Sequence, residues 1–410
     1  MLFLALTLVL IGVYPFFISG QLENSLVRWM ILVLAGSTLV DYFFLGKYRV
    51  LLTANQEGYV VALIQAAGTI VNMVVSIFLI YIGAGVLFVK AVATGVYMLR
   101  LVLVKIYVKR KYPALDFYAE PNEGALKQKN AALLHQVVGI IVNNTDTTVL
   151  TICLGAKSLL EVSVYGIYMM VVNAVNQLMT SFSNGLTAGF GEVIAKNEEE
   201  TLKKSYSSYE YMYFVIMFIV IACMGVLILP FVGVYTINLT DVQYVRPVLG
   251  ILFTLIVFMQ NVRIPGLTII CAAGHYKETR YQAILEAVIN ITVSLGLVWK
   301  FGMAGVLLGT VCSYGYRSFE IVFYTSRHLV KGCAKKSMFR ILRNVFTVAI
   351  LCTVGTYVIP QEITSFTTWF LYAIGMGLTS VFFVVVINYV VEPDEFMQLR
   401  HRVNDIIKKE

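Results

Sequence analysis

Apolar stretches of about 20 residues recur along the whole chain, and each is long enough to cross a hydrocarbon layer of roughly 30 Å as a helix. The chain is 59% hydrophobic and 13% charged, whereas a soluble domain has about 25% charged residues. Apolar and polar residues do not alternate as they do in a membrane barrel, so helices must satisfy the backbone polar groups. The sequence therefore predicts an all-α polytopic membrane protein.

Twelve segments have the length and composition of transmembrane helices. The first lacks a basic start and a small-residue cleavage site, so we interpret it as a membrane helix and not as a signal peptide. Most of the 31 Lys and Arg residues lie in loops on one side, and this excess is typical of the cytoplasmic face. It predicts that both termini are cytoplasmic. The predicted segments are 2–19, 27–46, 58–82, 84–108, 131–155, 161–190, 208–234, 246–271, 281–300, 302–325, 343–360 and 366–391.

The remaining composition argues against other classes of protein. The net charge of +8 does not indicate nucleic-acid binding, because the basic residues are scattered over short loops. The six cysteines lie singly, without metal-site spacing. The four histidines are dispersed and no Asp-x-Asp occurs, which disfavours a membrane-embedded glycosyltransferase or polymerase. No GxxxxGK[ST] phosphate loop is present. The sequence favours a transporter and not an enzyme.

The two halves of the chain align at a constant offset, as Asn72 does with Asn290. Transporters are commonly built from such repeats, with the substrate site at the repeat interface. The second lobe contains two helices, 131–155 and 161–190, that the offset places before residue 1. We therefore expect the first lobe to lack its first two helices here. Other matched pairs are Ala54 with Ala272, Ser76 with Ser294 and, after one inserted residue, Gly83 with Gly302.

The repeat and the loop composition predict five regions. The tail has apolar residues at helical spacing, including Phe396 and Leu399, which predicts an amphipathic helix on the inner membrane surface. A solvated tail is the alternative. The predicted regions are an N-lobe of four helices (1–108), a cytoplasmic linker (109–130), a C-lobe of six helices (131–325), a basic linker with two extra helices (326–391) and a cytoplasmic tail (392–410).

Four stretches of the second lobe have a distinctive sequence. They are Asn143-Asn144-Thr145-Asp146 followed by VLTICLG, VYGIYMMVVNAVNQL (164–178), SFSNGLTAGFGEVIAKNEEETL (181–202) and RYQAILEAVINITVSLGLVWKFGMAGVLLGTVCS (280–313). These stretches resemble bacterial polysaccharide-transporter (Wzx-type) flippases. Members of their superfamily, the multidrug/oligosaccharidyl-lipid/polysaccharide exporters, have two six-helix lobes around a central cavity, and some have two extra C-terminal helices. The resemblance extends from about residue 40 and implies a fourteen-helix plan.

The resemblance implies a flippase that moves an undecaprenyl-pyrophosphate-linked oligosaccharide to the outer leaflet of the bacterial plasma membrane, for capsule, O-antigen or a similar polymer. It implies alternating access, no resident cofactor, and coupling to membrane potential or to a Na⁺ or H⁺ gradient. Expected partners are membrane lipids and the polymerase and glycosyltransferases of the same pathway. The alternatives are a cation-coupled multidrug exporter of the same fold, a membrane glycosyltransferase or polymerase, and a non-transporting remnant.

Ionisable residues inside the predicted segments mark a polar interior, because each would cost about 2.5 to 3.5 kcal/mol at the centre of a lipid-facing helix. A lipid pyrophosphate needs a cationic cavity, so the four cations are candidate substrate contacts, together with Gln260. Arg317 could instead pair with Glu320, three residues later, and Arg100 could extend to the inner interface. The cations are Lys90, Arg100, Arg263 and Arg317, and the carboxylates are Asp41, Asp146, Glu286 and Glu320.

Two further sets of polar residues are candidate sites. Segment 161–190 has a polar stripe at helical spacing, which predicts a hydrated path. Hydrogen bonding between helices is the alternative. Related lipid II flippases bind a cation in the second lobe, which implies oxygen ligands on three helices here. The stripe contains Asn173, Asn176, Gln177 and Asn184, with Thr180 and Ser181, and the candidate cation ligands are Asp146, Asn290, Thr310 and Glu286.

Overall fold

The computed structural model describes residues 2–17, 23–55, 57–113, 115, 129–155, 158–183, 186–360 and 363–398. These residues are almost entirely helical, and none of them is in a strand. A π-helical segment, Asp41–Leu45, joins α2 to α3. The α-helices are α1 Leu2–Phe17, α2 Asn24–Val40, α3 Gly46–Ala54, α4 Gly58–Tyr81, α5 Val86–Lys111, α6 Lys129–Cys153, α7 Ser158–Ser183, α8 Leu186–Ala195, α9 Glu199–Tyr235, α10 Pro247–Val262, α11 Ile264–Ala272, α12 Arg280–Phe301, α13 Met303–His328, α14 Ala334–Val358 and α15 Phe366–Val391.

The prediction of an all-α polytopic membrane protein is confirmed. Eight helical segments of the described chain are long and apolar enough to cross a membrane. Among the other predicted segments, α1 and α2 have 16 and 17 residues. Helices α6 and α13 have 25 and 26 residues but are more polar. These two polar helices carry Asp146, Arg317 and Glu320, so the polarity is concentrated where the candidate sites were predicted.

Four predicted boundaries differ from the observed helices by more than a few residues. Helix α9 begins at Glu199 and not at 208. The predicted segment 27–46 continues through the π-helical residues to Ala54. The segment 246–271 is interrupted at Arg263, which separates α10 from α11. Helix α14 begins at Ala334 and not at 343. Within the predicted tail, residues 393–398 are helical, and residues 399–410 lie outside the described part of the chain.

The chain divides into two compact units, Met1–Glu123 and Gly124–Glu410. In unit 1, helices α2 and α4 pack against α5. The core of this unit is small and includes Leu52, Val104 and Val108. A carboxylate in the π-helical segment is paired within the same unit, because Arg49 donates to Asp41 at 2.7 Å.

Unit 2 is organised by two sets of helices. Helices α12 and α13 cross closely, and α6 packs beside them. The crossing requires glycine: a Cβ on Gly305 would lie 2.3 Å from the Leu297 carbonyl oxygen. Small residues permit this approach of two membrane helices. The long helix α9 contacts α7, α10, α14 and α15, so the C-terminal pair of helices packs on the same unit.

Polar side chains are buried in unit 2 while apolar side chains cover its surface. Asn290, Ser294 and Ser313 are fully buried between α12 and α13. By contrast, Leu371 and Leu378 of α15 are largely exposed. Exposed apolar patches of this extent are unusual for a soluble protein and match a lipid-facing surface.

Candidate functional site

A cluster of four charges lies in the interior of unit 2. Arg263, at the junction of α10 and α11, donates to Glu286 of α12 at 2.5 Å. The Nε atom of Arg317 on α13 lies 3.6 Å from the other oxygen of Glu286, and Arg317 also donates to Glu320. The Arg317 side chain is only 3% exposed. The two cations and two carboxylates compensate each other, which reduces the cost of burying any one of them.

A cavity of about 210 Å³ opens beside this cluster. Arg263, Glu286 and Arg317 form part of its wall, with His135 and Asn143 of α6. The described residues offer no hydrogen-bond acceptor to the buried Nε of Arg263. The cavity therefore presents the guanidinium groups of two arginines, which are paired with Glu286 and Glu320. A group with several oxygen acceptors, such as a phosphate, fits these donors.

The Arg263 guanidinium also stacks on an aromatic ring. Its Cζ atom lies 4.5 Å from the centroid of the Tyr314 ring. The Tyr314 hydroxyl in turn donates to Asn143 at 3.0 Å. This cation–π contact keeps the plane of the guanidinium fixed. The arrangement orients Arg263 before any ligand binds.

His135 is a cavity residue that the sequence did not single out. Its Nε2 atom lies 2.9 Å from the carbonyl oxygen of Tyr276 and 3.4 Å from the Thr279 hydroxyl. The sequence contained a signal, because His135 lies eight residues before Asn143 on α6 and therefore on nearly the same face. The four histidines are dispersed along the sequence, so composition alone does not single out His135.

Three of the four predicted cation ligands form one buried group. Thr310 donates to Asp146 at 2.7 Å, and the Asn290 amide donates to Thr310 at 3.0 Å. Tyr165 also donates to Asp146, at 3.3 Å. The Asn290 amide oxygen is buried and has no hydrogen-bond donor among the described residues. Glu286 belongs to the arginine cluster. The described residues contain no group of three or more His, Cys, Asp or Glu side chains that could hold a metal.

The polar stripe on α7 has one residue that bonds to another helix and others that are exposed. Asn176 donates to Gln260 at 2.9 Å and accepts from Asn261 at 2.9 Å. These amide groups join α7 to α10, so they hydrogen-bond between helices. Asn173 and Gln177 are exposed. Asn184 lies outside the described residues.

The two remaining predicted contacts belong to unit 1. Lys90 on α5 is exposed. Arg100, on the same helix, donates to the Thr69 hydroxyl of α4 at 3.1 Å. Its guanidinium lies over the Tyr97 ring, 4.9 Å from the ring centroid.

A second ionic network, centred on Arg340, was missed by the sequence reasoning. Arg340 of α14 is 1% exposed and donates to Glu210 of α9 at 3.0 Å and to Glu392 at 2.7 Å. Arg343 donates to Glu392 at 2.9 Å, and Lys336 donates to Glu395 at 2.6 Å. Burial alone would raise the pKa of Glu392, but hydrogen bonds from Arg340 and Arg343 lower the pKa below its ordinary value. The network joins the two C-terminal helices to α9.

The overall fold is similar to that of a known structure. The chain is similar in structure to the lipid II flippase MurJ in an inward closed conformation, with a TM-score of 0.64 and 15% sequence identity. The similarity covers 95% of this chain and 81% of that chain. No protein-family model and no curated protein sequence matches the chain. At this level of identity, the likeness establishes the fold.

Proposed function

We propose that this protein is a flippase that moves an anionic, lipid-linked oligosaccharide across the bacterial plasma membrane. The observation that carries the proposal is the position of Arg263 and Arg317 at the wall of a buried cavity, within a fold shared with a lipid II flippase. A multidrug exporter of apolar cations would have no use for two guanidinium groups there. A translocated lipid pyrophosphate requires such donors, because its charge must leave water.

The dimensions of the cavity limit which part of the substrate it holds. Its volume of about 210 Å³ is below the roughly 300 to 1,000 Å³ of sites for drug-sized ligands. It fits a pyrophosphate group and not a complete oligosaccharide. The phosphate oxygens compete with Glu286 and Glu320 for the guanidinium donors of Arg263 and Arg317. The sugars then extend away from this cavity.

We further propose an undecaprenyl-pyrophosphate carrier and a surface polysaccharide of the capsule or O-antigen type. The sequence stretches that resemble polysaccharide-transporter flippases support this choice. Transport proceeds by alternating access, as in other transporters built from repeats, without nucleotide hydrolysis. The pathway's polymerase and glycosyltransferases act before and after this step.

The group formed by Asp146, Thr310 and Asn290 is the proposed site of the coupling cation. Carboxylate, hydroxyl and amide oxygens are the ligands that a hard cation such as Na⁺ binds. The unpartnered amide oxygen of Asn290 supplies one of them. Replacing Asp146 with asparagine should abolish any dependence of transport on a cation gradient. Unchanged transport and unchanged ion dependence would remove this site from the proposal.

Complementation of a bacterium that lacks its oligosaccharide flippase tests the function. The wild-type chain and Lys300→Gln, which removes an exposed charge, should restore the surface polymer. Arg263→Gln should restore little of it, and Arg263→Lys should restore an intermediate amount because lysine keeps the charge but loses the planar fork of donors. Membrane levels of each protein are measured in parallel. Full restoration by Arg263→Gln would contradict the proposed role of the cavity.

A further inference from the structure

His135 lies at the wall of the unit 2 cavity and has no part in the proposed binding of phosphate by the two arginines. It is on α6, about two turns from the start of the helix at Lys129. Its contacts are with Tyr276 and Thr279, in the connection between α11 and α12. All of these residues belong to unit 2, so the described setting of His135 is formed within that unit.

The imidazole ring of His135 is held in one orientation and one tautomer. Its Nε2 atom lies 2.9 Å from the carbonyl oxygen of Tyr276. A carbonyl oxygen can only accept a hydrogen bond, so Nε2 carries the hydrogen and the lone pair of the neutral ring is on Nδ1. The Tyr276 ring packs edge-on against the imidazole, with 6.0 Å between the two ring centroids. Nδ1 is therefore the atom at which His135 gains a proton.

The Nδ1 atom of His135 is open to a ligand. The described groups that bond to the ring, from Tyr276 and Thr279, contact Nε2 and not Nδ1. Nδ1 is also not enclosed by the protein, in contrast to the Nε atom of Arg263. A proton added at Nδ1 therefore creates a hydrogen-bond donor that no described residue uses.

The charges already present at the cavity balance each other. Arg263 and Arg317 are paired with Glu286 and Glu320, so this cluster carries no net charge before a ligand binds. A pyrophosphate diester brings a negative charge on each phosphate, and it competes with the carboxylates for the guanidinium donors. Burying the added negative charge without compensation is costly. The cavity needs further positive charge when such a substrate is bound.

The other titratable groups around His135 come from the elements that form the cavity with it. On α6, residues 131–139 contain no other titratable side chain. The groups near the cavity but outside its wall are His275, Lys277, Glu278 and Arg280. The groups at the wall are Arg263, Cys271, Tyr276, Glu286 and Arg317.

Among these wall residues, His135 is suited to supply the positive charge. An imidazole ordinarily binds a proton at about pH 6.5. Cys271 and Tyr276 become anions when they titrate, and the arginines are already charged. Glu286 would give up its ion pairs with both arginines if it took up a proton. A neutral His135 that becomes an imidazolium adds one cation and breaks no described ion pair.

We propose that His135 is a phosphate contact that binds a proton together with the substrate. The proposal rests on the proposed flippase function. The proton comes from water and forms an N–H bond at Nδ1, and the imidazolium donates to a phosphate oxygen through that bond. When the phosphate leaves the cavity, the proton returns to water. The bound proton reduces the net negative charge that is buried with the phosphate.

Proton uptake on binding tests the proposal. The probe is symmetric dimethyl pyrophosphate, in which each phosphate is esterified as in a lipid-linked sugar, so the probe itself does not titrate near neutral pH. Calorimetry of the purified full-length chain is run in buffers of different ionisation enthalpy, and the change in heat between buffers gives the number of protons bound. The wild type should take up as much as about one proton, and its affinity should weaken several-fold between about pH 6 and pH 8.

Three variants separate His135 from the rest of the cavity. His135→Gln should bind the probe without proton uptake, because an amide can donate to the Tyr276 carbonyl but does not titrate. The control His328→Gln replaces an exposed histidine that is not part of the wall and should match the wild type. Arg263→Gln should lose most of the binding, as the proposed function requires. Each variant is first shown to be monodisperse.

The outcomes distinguish the role of His135 from the proposed function. Equal proton uptake by His135→Gln and the wild type would overturn the proposal and assign the proton to another group, such as Glu286. Wild-type binding that is lost in Arg263→Gln but shows no proton uptake would also overturn it, while the flippase function would stand. A wild type that does not bind the probe would contradict the phosphate-binding role of the cavity and, with it, the role of His135.

Discussion

Replacing Arg340 with methionine should destabilise unit 2 far more than the loss of a surface ion pair. Glu392 would keep Arg343, but Glu210 would keep only the hydroxyl groups of Ser337 and Tyr206. A buried carboxylate without its cation typically costs about 3 to 5 kcal/mol. Methionine is unbranched, so the substitution removes the charge with little change in packing.

Equilibrium unfolding of the purified protein in mixed micelles measures this cost. The matched control is Lys196→Met, which breaks an exposed pair with Glu192 and should leave the free energy of unfolding nearly unchanged, because solvent screens such pairs. The double variant Arg340→Met with Glu210→Gln should recover part of the lost stability, because the unpaired buried charge is then gone. The reasoning would be refuted if the free energies of unfolding of Arg340→Met and of the control differed by less than about 0.5 kcal/mol. That margin is the scatter normally seen between independent mutational effects.

Three further measurements test the packing and the charges. Gly309→Ala should lower the free energy of unfolding by about 1 to 3 kcal/mol, because its Cβ would lie 2.7 Å from a backbone nitrogen of α12. The matched control is Gly296→Ala, whose Cβ would meet nothing within 4 Å. In the same unfolding assay this control should be neutral or stabilising by up to about 1 kcal/mol. Tyr213→Phe should lose about 0.5 to 1.5 kcal/mol with its 2.9 Å hydrogen bond to Asn261, and an unchanged unfolding midpoint would contradict that. The pKa of Glu392 is lower in the folded state, so its stabilising effect is complete above the unfolded value near 4.5 and is lost as pH falls through the folded pKa. Glu392→Gln should therefore flatten the decrease in stability that the wild type shows as pH falls below about 4.5.

The positions of the helices follow closely from the sequence, because membrane solvation imposes both their length and their composition. Deviations occur where charged residues lie within a helix. Lys335, Lys336 and Arg340 made residues 334–342 resemble a basic loop. These residues are helical, and the side chains of Arg340 and Arg343 are buried against Glu210 and Glu392. The carboxylates that neutralise them lie up to 130 residues away in sequence, so no local pattern could show the pairing.

The candidate site was predicted only in part, because some of its pairs join residues that are far apart in sequence. The pairing of Arg317 with Glu320 was visible as a three-residue spacing, and the structure contains that pair. The pairing of Arg263 with Glu286 joins different helices and required the fold. Likewise, the polar stripe on α7 could not reveal that Asn176 bonds to Asn261 of α10. Sequence periodicity identifies the polar face of a helix, but it does not identify the partner of that face.

Translocation by the purified protein in liposomes tests the proposed flippase function most directly. The probe is an undecaprenyl-pyrophosphate-linked oligosaccharide with a fluorescent sugar, whose accessibility to a membrane-impermeant quencher reports the leaflet in which it lies. We predict nucleotide-free exchange between leaflets that exceeds protein-free liposomes and is strongly reduced by Arg263→Gln, with Lys300→Gln equal to the wild type. Exchange no faster than in protein-free liposomes, with correctly inserted protein under an imposed membrane potential and ion gradient, would contradict the proposed function.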